Sequence, residues 1–343
     1  MSGDPRPLIS VCIPTYNRAA LLEKALKSIL GEFEGAAIEV IVSDNASEDK
    51  TEEIVRAYQR QHPNVRYYRN ETNIGLDDNA VSCLQRAVGE YVFMFSDDDI
   101  LLPGSREHLL RVIRGFQPDL LYLNHRGFWE TEDYLAVYRR KTSPDKRDMV
   151  YTDGFKMLLD RYLVHFTALI YRRVEVLRYL HHLDDYKRGG WERGYAAVVL
   201  AHYVVLESPG PFVFVGKCCV AVRNVVPDRS YSYVHSGVID PARHYQNLRR
   251  KNLIGESQLQ TLMTRHAMIP TMRLVTAMKC MRDPMLTERE LTLIYHLYKR
   301  FWLSYLFVFP VLVLPRFVLV LPYYLVSNLK RLYRMITKRS VFE

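Results

Sequence analysis

Tyr91-Val92-Phe93-Met94-Phe95-Ser96-Asp97-Asp98-Asp99-Ile100-Leu101-Leu102-Pro103 is the stretch that decides the fold. An apolar run of aromatic and β-branched residues stops at three consecutive carboxylates, and Pro103 then opens a predicted helix. Such a run reads as a buried strand of an α/β sheet, and ligands of these sheets bind beyond the carboxyl ends of the strands. Three adjacent carboxylates repel one another unless a cation or solvent offsets their charge. Oxygen ligands beside a cleft suit Mg²⁺ or Mn²⁺, and such a metal commonly carries a diphosphate. The same residues would also serve as an acidic cap, favoured by the helix dipole. The segments upstream separate the two readings.

Working outward, Leu8 to Ile13 predicts a first strand ending at Pro14, and Arg18 to Leu30 carries apolar residues at helical spacing. Ile38 to Val42 is a second strand, Thr51 to Tyr58 a helix, Val65 to Tyr68 a third strand and Leu76 to Val88 a helix leading into the strand that ends at Asp97. This strand and helix alternation predicts a mostly parallel sheet with helices on both faces. Asp119 to Leu123 reads as a further strand, Asn124 to Val150 as a polar loop or insertion, Thr167 to Tyr171 as a strand and Val174 to Leu183 as a helix. Trp191 to Leu206, after Gly189-Gly190, predicts a helix with a mixed apolar face. Phe212 to Val215 and Cys219 to Val222 are two short strands, and Pro241 to Arg300 is helical. The organisation expected is a catalytic domain over 1–230, a helical region over 231–300 and an apolar and basic segment over 301–343.

The chain has 343 residues, 48% hydrophobic and 25% charged, which describes an ordinary folded protein of about two domains. Its net charge of +9 is uneven, with an acidic-leaning first hundred residues and a basic tail after Lys299. Cys12, Cys83, Cys218, Cys219 and Cys280 show neither a CxxC pair nor metal-ligand spacing, so reduced, buried thiols are expected. The polar N-terminus, Met1 to Pro7, carries no apolar leader core.

Three further segments sit at predicted strand ends. In Ile13-Pro14-Thr15-Tyr16-Asn17-Arg18 the proline frees the following backbone from the ladder, leaving it available to a flat ligand or to an ordinary turn. Val42-Ser43-Asp44-Asn45-Ala46-Ser47 places a carboxylate where it can meet a nucleobase or ribose, or merely cap a helix. Asn70 to Gly75 supplies a turn tolerant of left-handed backbone at the same sheet edge. No GxGxxG follows the first strand and no Walker A sequence occurs, so dinucleotide-binding and P-loop readings lack their phosphate turns.

In this order, Ile9 to Arg18, Ser43 to Ser47, Asn73-Ile74-Gly75 and Ser96-Asp97-Asp98-Asp99 resemble the motifs of family 2 glycosyltransferases with the GT-A fold. The resemblance covers roughly residues 8 to 125. It implies a nucleotide-diphosphate sugar donor, a divalent cofactor (Mn²⁺ or Mg²⁺) and inversion at the anomeric carbon. It also implies that Pro14, Thr15 and Tyr16 line the base pocket with Asn17 beside them, that Asp44 contacts the base, and that Asn73 and Gly75 shape the same pocket. The acidic triplet stands where the family has its DXD motif. Ser96 replaces the first Asp of the Asp-X-Asp-Asp found in many relatives, so Asp97 is assigned to ribose or metal, Asp98 to the metal, and Asp99 to the metal or a helix cap.

An inverting transfer needs a general base on the acceptor hydroxyl. Relatives place it some ninety residues beyond the metal motif, a window holding Asp184, Asp185 and Glu192. Glu192 fits best, with a first-turn Glu paired to Arg193 as the bland alternative, and Trp191 is placed to stack on a sugar or to fill the core. His165 and His202 read as structural.

Phe301 to Leu329 holds one charge, Arg316, and three prolines; its longest uncharged run is too short to span a bilayer. Basic residues flank both ends, which predicts a re-entrant or interfacial hairpin facing anionic lipid, or else a buried hairpin. The expected enzyme is thus a peripheral transferase on the cytoplasmic face of the plasma membrane. It would add one sugar to a lipid-linked glycan acceptor in bacterial surface polysaccharide synthesis such as O-antigen. The alternatives are a membrane adaptor that kept the fold, and a processive synthase subunit, which would need several membrane helices and a Gln-x-x-Arg-Trp motif. A nucleic-acid partner is not expected, because the basic residues adjoin apolar ones instead of lining an aromatic groove.

Overall fold

The computed structural model describes residues 6–129, 147–188, 196–224, 238–281, 286–315 and 318–319. They fall into two compact units, Met1–Asp228 and Arg229–Glu343. The first is built on one sheet of β1 (Ile9–Thr15), β2 (Ile38–Asp44), β3 (Val65–Arg69), β4 (Tyr91–Met94), β5 (Ile100–Leu101), β6 (Leu120–Trp129), β7 (Met149–Tyr151), β8 (Leu169–Arg172) and β9 (Phe212–Asn224). The strand order is β3-β2-β1-β4-β8-β6-β9-β5, with β7 pairing β9.

Every residue of β1, β2 and β4 is buried, which is why these segments read as continuous apolar runs. They and β3 are parallel, whereas β8 runs antiparallel to β4 and β6, and β5 and β7 run antiparallel to β9. The sheet is therefore mixed, not mostly parallel, because the half after β4 is laid down by reversing strands. Asn124 is not the start of a loop: β6 continues to Trp129, paired in parallel with β9 across an irregularity at Leu123–His125. That irregularity also explains why β9, one strand of 13 residues, reads as two short ones around Gly216.

The helices of the first unit are α1 (Ala19–Glu32), α2 (Thr51–Gln61), α3 (Leu76–Arg86), α4 (Ser105–Phe116), α5 (Gly154–Asp160), α6 (Arg173–Arg178), α7 (Leu183–Arg188) and α8 (Ala196–Glu207). Leu22, Ala25, Leu26, Ile29 and Leu30 bury one stripe of α1, each leucine or isoleucine contributing about 2 kcal/mol. Pro103 does not open α4; Gly104, at φ 74°, turns the chain first. Helix α8 is buried at every position from Ala196 to Val205, so it is an internal helix without a polar face, in contrast to the mixed face expected. All five cysteines are free and buried.

The second unit is helical: α9 (Asp240–Arg250), α10 (Glu256–Leu262), a wide π turn over Met263–Met268, α11 (Ile269–Met281), α12 (Glu288–Tyr298), α13 (Ser304–Phe307) and α14 (Phe309–Val313). The Lys279 ammonium donates to the carbonyls of Val311, Leu312 and Leu314 at 3.0, 2.8 and 3.0 Å, satisfying the open C-terminus of α14. Among the described residues no helix is long and apolar enough to cross a membrane. The basic tail beyond Leu319 lies outside the described residues.

Candidate active site

Strand register alone assembles the site. In the parallel β1/β4 pair Cys12 faces Met94, and the same register carried three residues on sets Thr15 against Asp97. The Thr15 hydroxyl accordingly donates to Asp97 Oδ2 at 2.7 Å. Thr15 pairs with Asp44 on β2, and Asp44 with Arg69 on β3. One row across the carboxyl end of the sheet thus reads Arg69, Asp44, Thr15, Asp97. In the antiparallel β4/β8 pair Tyr91 faces Arg172, which extends to Ser96 opposite Thr167, and the Ser96 amide donates to Thr167 Oγ1 at 3.1 Å. The antiparallel β5/β9 pair sets Ile100 against Ala221, which extends to Asp98 opposite Arg223.

The loops beyond this row hold each other. Asn17 and Ala46 adopt positive φ, 53° and 65°. The Asn17 amide donates to Ser47 Oγ at 2.9 Å, and Asn17 Oδ1 accepts from the Glu48 amide at 2.7 Å. Asp49 accepts from the amides of Ala19 and Thr51, at 2.9 and 3.0 Å, so one carboxylate caps both α1 and α2; partial burial, which raises its pKa, is outweighed by the Thr51 hydroxyl and these amides, and the pKa is lowered. Asn45 joins the third loop, donating to Asn73 Oδ1 at 2.7 Å and to the Gly75 carbonyl at 3.2 Å, while its own oxygen accepts from the Ile74 amide. Gly75 sits at φ 88°, the backbone that requires glycine before α3. Tyr16 projects from this rim, 42% exposed.

The three carboxylates have different surroundings. Asp97 Oδ1 lies 3.2 Å and Asp98 Oδ2 3.3 Å from the same Nη1 of Arg18. Asp98 also accepts from the Ser96 hydroxyl at 2.6 Å and lies 3.8 Å from Arg223 Nη1. Burial, opposed by Arg18 and reinforced by Asp98, pushes Asp97 up to about 6. Asp99 is raised further, to about 8, by burial and then by Asp98. Its oxygens are taken by the Thr167 hydroxyl and by the Arg223 amide at 2.8 Å. The expected trio of metal ligands is therefore not grouped: Asp99 ties the end of β4 to the turn before β8 and to β9, and only Asp97 and Asp98 face a common cation. Among the described residues no group of three or more His, Cys, Asp or Glu side chains is arranged to hold a metal.

Asp44 is also more enclosed than a base contact suggests. It is fully buried, with Oδ1 accepting from the Ser47 amide at 2.9 Å and Oδ2 accepting from Tyr67 Oη at 2.5 Å and Arg69 at 3.1 Å. Burial and this carboxylate push the Tyr67 phenol well up. Pro14 lies on β1 where pairing to β4 has already passed to Phe95, so its missing N–H removes no bond there.

Of the base candidates, Asp184 and Asp185 lie exposed on the first turn of α7. Glu192 and its neighbour Trp191 lie outside the described residues. His202 is buried in α8, and half-buried His165 packs against His125 at 4.0 Å between ring centroids. Desolvation, then His125, pushes the His165 imidazole down to about 3. Sequence reasoning assigned nothing to Arg18, Thr167 or Arg223. Arg18 was visible at the end of the first motif; Thr167 comes from the turn just before β8 and Arg223 from β9, and no local pattern announces the antiparallel pairing of either segment.

The geometry gathers Thr15, Asp44, Asp97 and Asp98 at the carboxyl edge of an α/β sheet, with Asp97 and Asp98 paired on one arginine. Residues 10–174 match the family model described as Glycosyl transferase family 2, and this part of the chain belongs to that family. The chain is 34% identical over 147 residues to the abequosyltransferase RfbV of Salmonella typhimurium, covering 38% of this chain and 44% of that protein. It is 39% identical over 106 residues to a GalNAc(5)-diNAcBac-PP-undecaprenol beta-1,3-glucosyltransferase of Campylobacter jejuni, covering 31% of this chain and 34% of that one. It thus matches less than half the length of these curated relatives. The structure of S. aureus TarS residues 1–349 with UDP-GlcNAc shares the fold, with a TM-score of 0.57 and 16% identity over 87% of this chain and 91% of that one.

Proposed function

We propose that the chain is an inverting glycosyltransferase that moves one sugar from a nucleotide-diphosphate donor to a lipid-linked glycan in bacterial surface polysaccharide synthesis. The observation that carries this reading is the pair Asp97 and Asp98, both facing one cationic nitrogen at the sheet edge where the Thr15, Asp44 and Asn73 loops converge. Two carboxylates with hard oxygen ligands fit Mg²⁺ or Mn²⁺, which commonly take one or two protein carboxylates and complete their shell from phosphate and water. When bound, the metal offsets charge developing on the leaving diphosphate.

The chain's own residues supply the rest. Tyr16 offers an exposed ring to the base, and the buried Asp44 holds Tyr67, Arg69 and the Ser47 amide in place behind it. Thr15 fixes the Asp97 rotamer, and the Asn45–Asn73–Gly75 bonds hold the loop that borders the donor. The acceptor hydroxyl gives its proton to Glu192, or to Asp184 or Asp185. The acceptor class follows from the undecaprenol-linked substrate in the name of the Campylobacter relative. It also follows from exposed Trp302, Tyr305, Leu306 and Val313 beside Lys299 and Arg300, a surface suited to the cytoplasmic face of a membrane.

The test is release of nucleoside diphosphate from UDP-, GDP-, dTDP- and CDP-sugars with Mn²⁺ or Mg²⁺ and membrane lipid extract. Metal-dependent turnover of one donor, lost in Asp98→Asn, is expected. Failure to bind any donor in the presence of metal would replace the enzyme by the adaptor reading.

A further inference from the structure

We infer that Arg18 is an internal stand-in for the metal: its guanidinium holds the cation position between Asp97 and Asp98 and is displaced when metal and diphosphate arrive together. The inference rests on the reading of Asp97 and Asp98 as the cation site. A single nitrogen, Nη1, is 3.2 Å from Asp97 and 3.3 Å from Asp98, so both carboxylates converge on the point where one cation would sit. Their side chains are only 5% and 9% exposed, and buried neighbouring carboxylates without a positive partner are strongly disfavoured.

Arg223 does not fill that role. Its Nη1 lies 3.8 Å from Asp98, farther than Arg18, and its amide is fixed on Asp99 by the register of β9. Arg18 differs in two ways. Its side chain is 38% exposed, so it can leave the site at little desolvation cost, and it stands at the entry to α1 on the same rim as Thr15. A guanidinium freed there meets the negative charge that arrives with the donor, and its fork suits phosphate oxygens.

Two consequences follow. Metal alone must compete with a tethered cation and binds weakly, whereas metal with nucleoside diphosphate binds well because the displaced arginine gains a new anion. Donor and metal therefore enter as a unit, and the cleft is not held loaded with metal between turnovers.

Mn²⁺ binding, followed by the electron paramagnetic resonance of the free ion, tests this on the full chain for wild type, Arg18→Gln, Arg18→Lys and Asp98→Asn. Each is titrated with Mn²⁺ alone and with Mn²⁺ plus the diphosphate of the turned-over nucleotide, or of all four nucleotides if none is turned over. Removing a unit charge a few ångströms from the site is expected to tighten Mn²⁺ binding to Arg18→Gln alone by at least about tenfold. The same variant should bind the nucleoside diphosphate about tenfold more weakly, since a charge-assisted contact is lost. Arg18→Lys, which keeps the charge, should behave like wild type toward Mn²⁺ alone, and this holds the result apart from a general loosening of the cleft. If wild type binds Mn²⁺ with nucleotide but Arg18→Gln binds Mn²⁺ alone no more tightly, the stand-in role is overturned while the cation site survives. If neither wild type nor Arg18→Gln binds Mn²⁺ under any of these conditions, the cation site itself is wrong, and the stand-in with it.

Discussion

Replacing Thr167 by valine tests whether the acidic turn is held by the short 3-10 turn that leads into β8. Thr167 is 3% exposed, and its hydroxyl is bonded to Asp99 while accepting the Ser96 amide at 3.1 Å. Valine keeps the shape and removes both bonds. Each lost bond with a buried partner left unsatisfied costs about 1–3 kcal/mol. Asp99 keeps the Arg223 amide at 2.8 Å, which limits its share, so the sum is about 3 kcal/mol. For a unit of this size that corresponds to a fall in melting temperature of about 6–12 °C. Thermal and urea denaturation of wild type, Thr167→Val and Thr167→Ser measure it, with serine, which keeps the hydroxyl, expected to recover most of the loss. A valine variant within about 1 kcal/mol of wild type, or a serine variant as unstable as valine, would refute the view that this hydroxyl ties the acidic turn to the sheet.

Other outcomes follow from separate features. A Cβ at Gly154 would lie 1.4 Å from the Val205 carbonyl oxygen, so Gly154→Ala must push α5 off α8; insoluble or unfolded protein is expected, and a wild-type melting curve would contradict it. His165 is held neutral with its pKa near 3, below the unfolded value of about 6.5. Below pH 6.5 the unfolded chain takes up the proton first, so stability falls as pH drops from 6.5 toward 3, by up to about 1.4 kcal/mol per pH unit. Urea titrations should show a shallower slope for His165→Phe over that window, and identical slopes would remove His165 as the cause. Trp302→Ala with Leu306→Ala should lower co-sedimentation with vesicles of anionic lipid several-fold while leaving the melting curve of the chain near that of wild type, since both side chains are more than 60% exposed. Unchanged co-sedimentation would assign membrane binding, if any, to another surface.

The first four strands and three helices were legible because each buried strand is a continuous apolar run and each helix keeps one apolar stripe, as Leu22 to Leu30 do in α1. Boundaries erred where local pattern and tertiary pairing part: β1 continues through Pro14 to Thr15 because β2 still pairs there. The half of the sheet after β4 was poorly legible because β5 has two residues and β9 changes register midway against β6, so neither shows a clean period. The same limit applies to the site. The adjacency of Asp97, Asp98 and Asp99 is plain in sequence. That Asp99 turns toward Thr167 and Arg223 while its two predecessors share Arg18 is set by strands that meet only after folding. Glu192 lies outside the described residues, so nothing in the fold separates it from Asp184 and Asp185.

The ends of the sheet bear on how copies of the chain behave when concentrated on a surface. Among the described residues the ladder stops at β3 on one side and at the two-residue β5 and three-residue β7 on the other. On β3, Arg66 and Arg69 reach back to Glu39 and Asp44 of β2 and crowd the outer rim with guanidinium groups. An approaching strand therefore meets positive charge at one end and too few free amides and carbonyls at the other to start a ladder. Many molecules can crowd together without their sheets fusing into one, and any lasting assembly must be made through helices or loops.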